Sequence, residues 1–273
     1  MSTTQVTEAR ERLAQAVEQL ADSETFAAWL RARAAFHDYS FGNVCLIMSQ
    51  RPDATQVAGY RAWQKIGRQV ARGEKGIRIL APCRVKRDEV LPSGETRDAF
   101  RVVGFRCVSV FDISQTEGDA LPELDYRPLE GDAPDLADFL CGVAMSAGLE
   151  IRREPLSGGV HGYLRRSENL IVVDTACSGA MAAKVVAHEL GHHYDSWLVA
   201  NPDAYSAHRD DCEAVAESVA YVVAARFGLD AGPSAVAYVT GWAGGDANHV
   251  RELAKRIDMA ARAIFGEKAT GDA

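Results

Sequence analysis

Apolar residues recur at helical spacing over residues 6–36, where Val17, Leu20 and Phe26 stand among charged residues and alanines. A spacing of three to four residues places such side chains on one face of a helix. The pattern therefore predicts a helical N-terminus. A polar break at residue 22 divides it into two helices, with Ser23 as the expected N-cap of the second.

The pattern changes after residue 40. The apolar run VCLIMSQ and residues 60–68, which present Trp63 and Ile66, predict two further short helices. The runs GIRILAPCRVKRD and AFRVVGFRCVSVFDI read as strands, and the polar stretch LPSGETRD between them predicts a hairpin loop. The first 115 residues are thus expected to form helices followed by a meander of strands.

Residues 115–136 lack any hydrophobic period, are acidic and contain three prolines, which is typical of a linker. Periodic segments resume after it. The second half predicts a helix, a strand pair from VHGYLRR and NLIVVD, and three long helices. The four helices are expected over residues 136–147, 178–199, 210–228 and 246–265.

These elements predict an α+β protein of two domains, because runs of helices and runs of strands are segregated along the chain. The first domain, residues 1–118, combines helices with an antiparallel sheet. An acidic linker covers residues 119–135. The second domain, residues 136–273, is mainly helical with a small sheet, and we expect its last residues to be disordered.

The sharpest chemical motif is HELGHH, inside the helix predicted at 178–199. His188 and His192 are four residues apart, so both imidazoles project from one helical face and can bind one Zn²⁺ ion. Glu189 lies next to them, where metallohydrolases with the spacing H-E-x-x-H place the general base that polarises water. The motif predicts a zinc metallopeptidase site. Mn²⁺ or Co²⁺ could substitute at such a site.

A catalytic zinc ion takes three protein ligands, and the run RDDCEAVAESVAYVVAARFG supplies the third candidate. Glu213 and Glu217 lie one turn apart on a helical face that is otherwise small and apolar. One of them is expected to be the ligand, and the other to orient that ligand or a histidine. Glu217 is favoured because it lies deeper in the apolar run. The alternative is that both are solvated charges near a helix start.

His161 and Tyr163 belong to a strand expected just before the zinc helix. Such a strand lines the cleft in many hydrolases and can bind substrate backbone, and either side chain could stabilise an oxyanion. The alternative for each is a packed or exposed strand residue.

The formal net charge is −8, which at first argues against nucleic acid as a partner. However, residues 61–106 contain 12 Lys and Arg against five acidic residues, with aromatic residues interleaved. Basic residues beside stacking aromatics are what binding of single-stranded nucleic acid requires. Taken alone, however, such a run is more often a solvated basic face over an ordinary core.

The runs YSFGNVCLIMSQ, GYRAWQKIGRQVARGEKGIRILAP and GFRCVSVFDISQTEG resemble the N-terminal single-stranded-DNA-binding domain of ArdC-type antirestriction proteins. HELGHH followed by EAVAESVAYVVAARFG is similar to their zincin-like metallopeptidase domain and to ImmA/IrrE metallopeptidases. The resemblance implies binding of single-stranded DNA, protection of incoming DNA from restriction and cleavage of an unknown protein. It also implies that Glu217, the glutamate before S-V-A-Y, is the third ligand, as in a gluzincin-like site. The segment between the helix with the two histidines and the helix with the two glutamates differs in sequence from the same segment of better-known family members.

For the DNA contact implied by this resemblance, we expect residues within the basic stretch to act first. They are Tyr60, Lys65, Arg68, Arg72 and Lys75. Two alternatives stay open: a DNA-binding antirestriction protein whose zincin domain is structural or inactive, and a metallopeptidase regulator whose first domain binds protein.

The N-terminus has no basic segment followed by an apolar one, as a secretory signal would have. Six cysteines are scattered without a C-x-x-C pair, and no stretch reaches the roughly 18–20 apolar residues of a membrane span. We expect a cytoplasmic protein with reduced thiols and no membrane partner. The oligomeric state is not predicted.

Overall fold

The computed structural model describes residues 3–36, 38–90, 96–119, 127–231 and 246–267. The chain divides into two compact units. Unit 1 comprises Met1–Ala16, Asp38–Ala120 and Ala269–Ala273, and unit 2 comprises Val17–His37 and Leu121–Lys268. Both contain helices and strands, which confirms the predicted α+β class.

The helices are α1 Thr3–Gln19, α2 Ser23–Ala35, α3 Phe41–Gln50, α4 Tyr60–Lys65, α5 Pro134–Ser146, α6 Gly179–Tyr194, α7 Ser196–Ala200, α8 Arg209–Arg226 and α9 Ala247–Ile264. The strands are β1 Val57–Gly59, β2 Gln69–Val70, β3 Ile77–Val90, β4 Thr96–Asp112, β5 Thr116–Glu117, β6 Arg127–Pro128, β7 Glu150–Glu154, β8 Gly162–Arg165, β9 Leu170–Asp174 and β10 Leu229–Asp230. None of the described helices is long and apolar enough to cross a membrane.

Unit 1 is built on the antiparallel sheet β1-β4-β3, in which β3 is an edge strand. Helix α3 covers the backbone of that edge with two amide side chains, two turns apart on one face. The amide of Asn43 both donates to Leu80 O and accepts from Leu80 N, each at 2.9 Å. Gln50 makes the same pair of bonds with the backbone of Arg78, also at 2.9 Å. The edge is thereby satisfied within the unit.

The VFDISQ motif at the end of β4 is a structural hub. The buried carboxylate of Asp112 accepts from Thr55 N at 2.8 Å, Gln56 N at 3.1 Å and Ser114 N at 3.0 Å. Burial acts to raise the pKa of Asp112, but a hydrogen bond from the Ser114 hydroxyl together with these backbone bonds outweighs it and lowers the pKa. The motif therefore ties the end of β4 to the loop that precedes β1.

The same motif fixes the GEKG turn. The side-chain amide of Gln115 donates to Glu74 Oε2 at 2.7 Å and to Lys75 O at 2.9 Å. Gln115 is fully buried, so these bonds are shielded from water. Hydrogen bonds thus join two of the three N-terminal runs on which the family resemblance depends, those that contain GEKG and VFDISQ.

Unit 2 contains the sheet β7-β9-β8, in which β9 pairs in parallel with β7 and antiparallel with β8. The predicted strand pair is present as β8 and β9. Strand β7 was not predicted, because its sequence EIRRE is charged and mostly accessible. Helix α8 is central, since α2, α6 and α9 all pack against it.

The structure refines several predicted boundaries. The helix expected over 178–199 ends at Tyr194, because Asp195 leaves the helical conformation and N-caps α7. Asp22, not Ser23, caps α2 through a 2.9 Å bond from Thr25 N. Ile66 follows the end of α4 and is half exposed, so it is not a core residue.

Two segments differ from the predicted domain limits. Residues 17–37, expected in the first domain, cluster with unit 2. The reason lies in α2, whose Phe26 and Trp29 are fully buried and whose Arg33 pairs with Asp258 of α9. Arg127–Pro128 of the expected linker form β6, paired with β10. Residues 91–95 of the predicted hairpin loop, 120–126 of the linker and 268–273 of the tail lie outside the described residues.

Helix α6 approaches α8 at Gly191. A Cβ there would lie 2.9 Å from Ala216 Cα and 3.3 Å from Val219 Cβ. Gly191→Ala should destabilise the protein by about 1–3 kcal/mol, because helix backbone cannot yield as a side chain does. Gly142→Ala in α5 is the matched control. It meets nothing within 4 Å and should be neutral or stabilising. Urea unfolding checks both, and equal effects would contradict this explanation.

Candidate functional site

The two histidines of HELGHH lie on one face of α6, directed toward α8. Their ring centroids are 4.7 Å apart in an edge-to-face arrangement. His192 is buried and His188 is partly accessible. Their side chains share a face because four residues complete about one helical turn, as the sequence predicted.

Glu213 of α8 lies opposite both imidazoles. Its Oε2 is 3.3 Å from His188 Nε2, and its Oε1 is 3.5 Å from His192 Nε2. The ligand atoms of these three residues all lie within 4.8 Å of one another, the spacing that a single divalent ion requires. Two imidazole nitrogens and one carboxylate are a donor set that suits Zn²⁺ and related ions, so the residues fit a divalent metal.

Glu217, ranked first from the sequence, occupies a different position. Its Oε2 is 3.4 Å from Nδ1 of His188, which is the other side of that ring. Its Oε1 is 2.6 Å from Lys184 Nζ. The geometry thus favours Glu213 as the third ligand, and Glu217 as the orienting partner. Depth in the apolar run does not distinguish the two glutamates, because the packing of α6 on α8 determines which turn faces the histidines.

Tyr205 was missed by the sequence reasoning. Its hydroxyl donates to Glu213 Oε1 at 2.5 Å, and its ring packs edge-on against His192. Burial and the bond to Glu213 raise the pKa of Tyr205, so it remains a donor at neutral pH. No sequence signal pointed to it, because it lies in the connection between α7 and α8.

The site's charges are strongly coupled. Burial acts to lower the pKa of His188, but hydrogen bonds to Glu213 and Glu217 outweigh it and raise the pKa to about 9. Burial acts to raise the pKa of Glu213, and bonds from both histidines and Tyr205 reverse this, so its pKa is lowered. The Glu213 carboxylate is therefore ionised at neutral pH and can bind a cation.

Glu189 is buried, and burial raises the pKa of its carboxyl group, although His188 and His192 oppose the shift. Its carboxylate also interacts with the backbone N–H of Leu164 in β8. A buried carboxyl group with a raised pKa beside the two histidines is a candidate for proton transfer.

A cavity of about 290 Å³ opens beside these residues. Lys184, His188, Glu189 and Glu217 line one side of it, and His161 and Gly162 line another. His161 directly precedes β8 and lines the cavity, with its Nδ1 3.8 Å from Cys177 Sγ.

Tyr163 has a different environment. It is not among the described residues that line the cavity, and its hydroxyl accepts from Arg165 Nη2 at 2.9 Å. The structure therefore does not place Tyr163 in the wall of the cavity beside His188 and Glu189.

The support of α6 was also missed. Arg166 donates to the carbonyl of His192. Asp195 is fully buried and forms an ion pair with Arg256 at 2.5 Å. Both contacts fix the end of α6 that carries His192.

The predicted nucleic-acid residues lie in unit 1, and one of them is corrected. Arg68 is 8% exposed, because its guanidinium donates to Thr116 Oγ1 at 2.8 Å, to Thr116 O at 3.1 Å and to Asp119 O. These bonds hold the Arg68 side chain against the backbone of unit 1, so its guanidinium is not available to bind phosphate. The sequence around an arginine does not reveal whether its side chain is solvated or buried.

The other four predicted residues are exposed: Tyr60, Lys65, Arg72 and Lys75. No ion pair within the described part of the chain involves the three basic ones. The ring of Tyr60 is 42% exposed and its hydroxyl lies 2.5 Å from Gln69 Nε2. These side chains are accessible to an anionic partner.

Residues 2–111 match the family model of the N-terminal domain of anti-restriction factor ArdC. The fold resembles that of the antirestriction ArdC protein from plasmid R388. The metal-free crystal structure aligns with a TM-score of 0.55 at 20% identity, covering 94% of this chain and 98% of that one. The Mn(II)-bound structure aligns with a TM-score of 0.53 at 21% identity, covering 93% and 97%.

Two uncharacterized proteins are also similar in sequence. Protein pXO2-81 of Bacillus anthracis is 23% identical over 246 residues, which cover 77% of this chain and 41% of that protein. Protein y4eC of Sinorhizobium fredii is 30% identical over 139 residues, which cover 49% and 43%. The matched regions span less than half the length of these curated relatives.

The geometry generates a direct test of the third ligand. Glu213→Gln should weaken binding of Zn²⁺ or Mn²⁺ by at least about 100-fold, because Glu213 faces both Nε2 atoms. Glu217→Gln should weaken it by about 10-fold, as expected for a group that only orients a ligand. Competition with a chromophoric chelator measures both, and the reverse order would restore Glu217 as the ligand.

Proposed function

We propose that this protein, whose N-terminal region belongs to the ArdC domain family, binds single-stranded DNA and carries a zinc-dependent metallopeptidase site. It would act in the cytoplasm to protect incoming DNA from restriction. The observation that carries the peptidase proposal is the grouping of His188, His192 and Glu213 with ligand atoms within 4.8 Å of one another, while His188 and Glu189 line an adjacent cavity. We assign DNA binding to unit 1 and the peptidase site to unit 2, which includes residues 17–37 as well as 121–268.

His188, His192 and Glu213 would hold the ion. Zn²⁺ is the preferred occupant for two imidazoles and a carboxylate, and Mn²⁺ or Co²⁺ would also fit. When bound, such an ion supplies Lewis acidity toward water and toward a peptide carbonyl. Tyr205 would orient the Glu213 carboxylate through its short hydrogen bond.

Glu189 would take a proton from water and return it to the leaving amine. Its burial and its contact with Leu164 N hold it in one orientation beside the histidines. The edge strand β8 would bind the backbone of a peptide, and His161 at the cavity wall could donate to the developing oxyanion.

The peptidase proposal is tested with Glu189→Gln. The change should lower hydrolysis of fluorescein-labelled casein by at least about 100-fold while metal affinity stays near the wild-type value, because Gln cannot act as a base. Glu168→Gln is the control, since Glu168 is exposed and only pairs with Arg165. Undiminished cleavage by Glu189→Gln would overturn the assigned base. A metal-loaded wild type that cleaves nothing would favour a structural metal domain.

The DNA proposal rests on the exposed basic residues of the family-matched domain. The same domain exposes the ring of Tyr60, and a chain of phosphates and stacking bases would need both kinds of side chain. The alternative of a protein partner is favoured only if binding of oligonucleotides shows no dependence on salt.

The triple change Lys65→Gln, Arg72→Gln and Lys75→Gln should weaken binding of a single-stranded oligonucleotide. Each lost phosphate contact should reduce the slope of log K against log salt by about 0.7, so the three should reduce it by about 2. Arg152→Gln is the control, because this exposed arginine lies in unit 2 and pairs with Glu150. Fluorescence anisotropy from 50 to 300 mM salt measures the slopes, and equal slopes for wild type and triple variant would contradict this surface.

A further inference from the structure

Lys184 lies on α6, one turn before His188, and the proposed chemistry does not use it. Its ammonium is 2.6 Å from Glu217 Oε1. The two side chains are only 19% and 18% exposed, so the pair is largely shielded from solvent. A pair this shielded is screened less by water than a surface ion pair, and loss of either partner leaves the other charge uncompensated.

The ring of His188 has a carboxylate at each of its nitrogens. Glu217 Oε2 is 3.4 Å from Nδ1, and Glu213 Oε2 is 3.3 Å from Nε2. A metal can bind only a nitrogen that carries no hydrogen. Which nitrogen is available therefore depends on which carboxylate accepts the ring N–H.

We infer that Lys184 is the positioning residue that makes this choice. By holding Glu217 on the Nδ1 side, it keeps the ring hydrogen there and leaves Nε2 for a metal shared with His192 and Glu213. Lys184 thus decides which of the two neighbouring glutamates acts as ligand. This inference rests on the proposed metal site.

A competing effect has the opposite sign. Lys184 is a cation near the place of another cation, so its removal should favour metal binding on Coulombic grounds alone. Loss of Lys184 would also free Glu217 to rotate. If positioning dominates, removing the ammonium weakens metal binding, and if repulsion dominates, it tightens binding.

The test is a double-mutant cycle in the full chain, with affinity for Zn²⁺ measured by chelator competition at one pH. Lys184→Met should weaken binding by about 10-fold, as should Glu217→Gln. Adding Lys184→Met to Glu217→Gln should cause no further loss, because the lysine acts through the glutamate. Lys184→Arg should restore affinity to within about threefold of wild type. Lys255→Met on α9 is the control, since Lys255 pairs only at the surface.

Three results would overturn the inference: wild-type or tighter binding by Lys184→Met, additive losses in the double variant, or no rescue by arginine. Thermal unfolding of the metal-free variants separates a stability effect, which would lower the midpoint without changing affinity. Lys184→Gln replaces Lys184→Met if the apolar side chain prevents folding. If the wild type itself binds no Zn²⁺, the proposed metal site fails, and this outcome differs from every one above.

Discussion

The close packing of α6 on α8 is the contact on which the chemistry of unit 2 depends. It requires Gly191, because a side chain there would enter the backbone of α8 at Ala216. At this separation the histidine face of α6 reaches the carboxylates of α8, and Glu213 comes within 3.5 Å of both rings. The small residues along α8 thus allow the candidate ligands to come together, since a wider spacing between α6 and α8 would leave the two histidines without a third donor.

Around that contact, polar side chains hold the candidate ligands, or the helix that carries them, in place. Tyr205 holds Glu213, Lys184 holds Glu217, and the Asp195–Arg256 pair fixes the end of α6. Each contact limits the motion of a group that touches, or orients, a candidate ligand. Such support is what keeps metal-binding side chains in place before the ion arrives.

Unit 1 shows that family-like motifs can be structural. Asp112 and Gln115 of VFDISQ bind backbone groups, and Gln115 holds the GEKG turn. The guanidinium of Arg68 is occupied by hydrogen bonds to the chain near Thr116. The basic residues available to a partner are those left outside this network. A count of charges in residues 61–106 therefore overstates the binding surface, because burial removes individual charges from it.

The sequence by itself determined the α+β class, the helix that carries His188, Glu189 and His192, and the strand pair beside it, because periodicity and four-residue spacing are local properties. Only the tertiary structure placed Glu213 opposite both histidines, buried Arg68, brought Tyr205 to Glu213, and paired Lys184 with Glu217. It also moved α2 from the first domain to unit 2. These outcomes depend on how helices cross and what each side chain meets there, which no local pattern encodes.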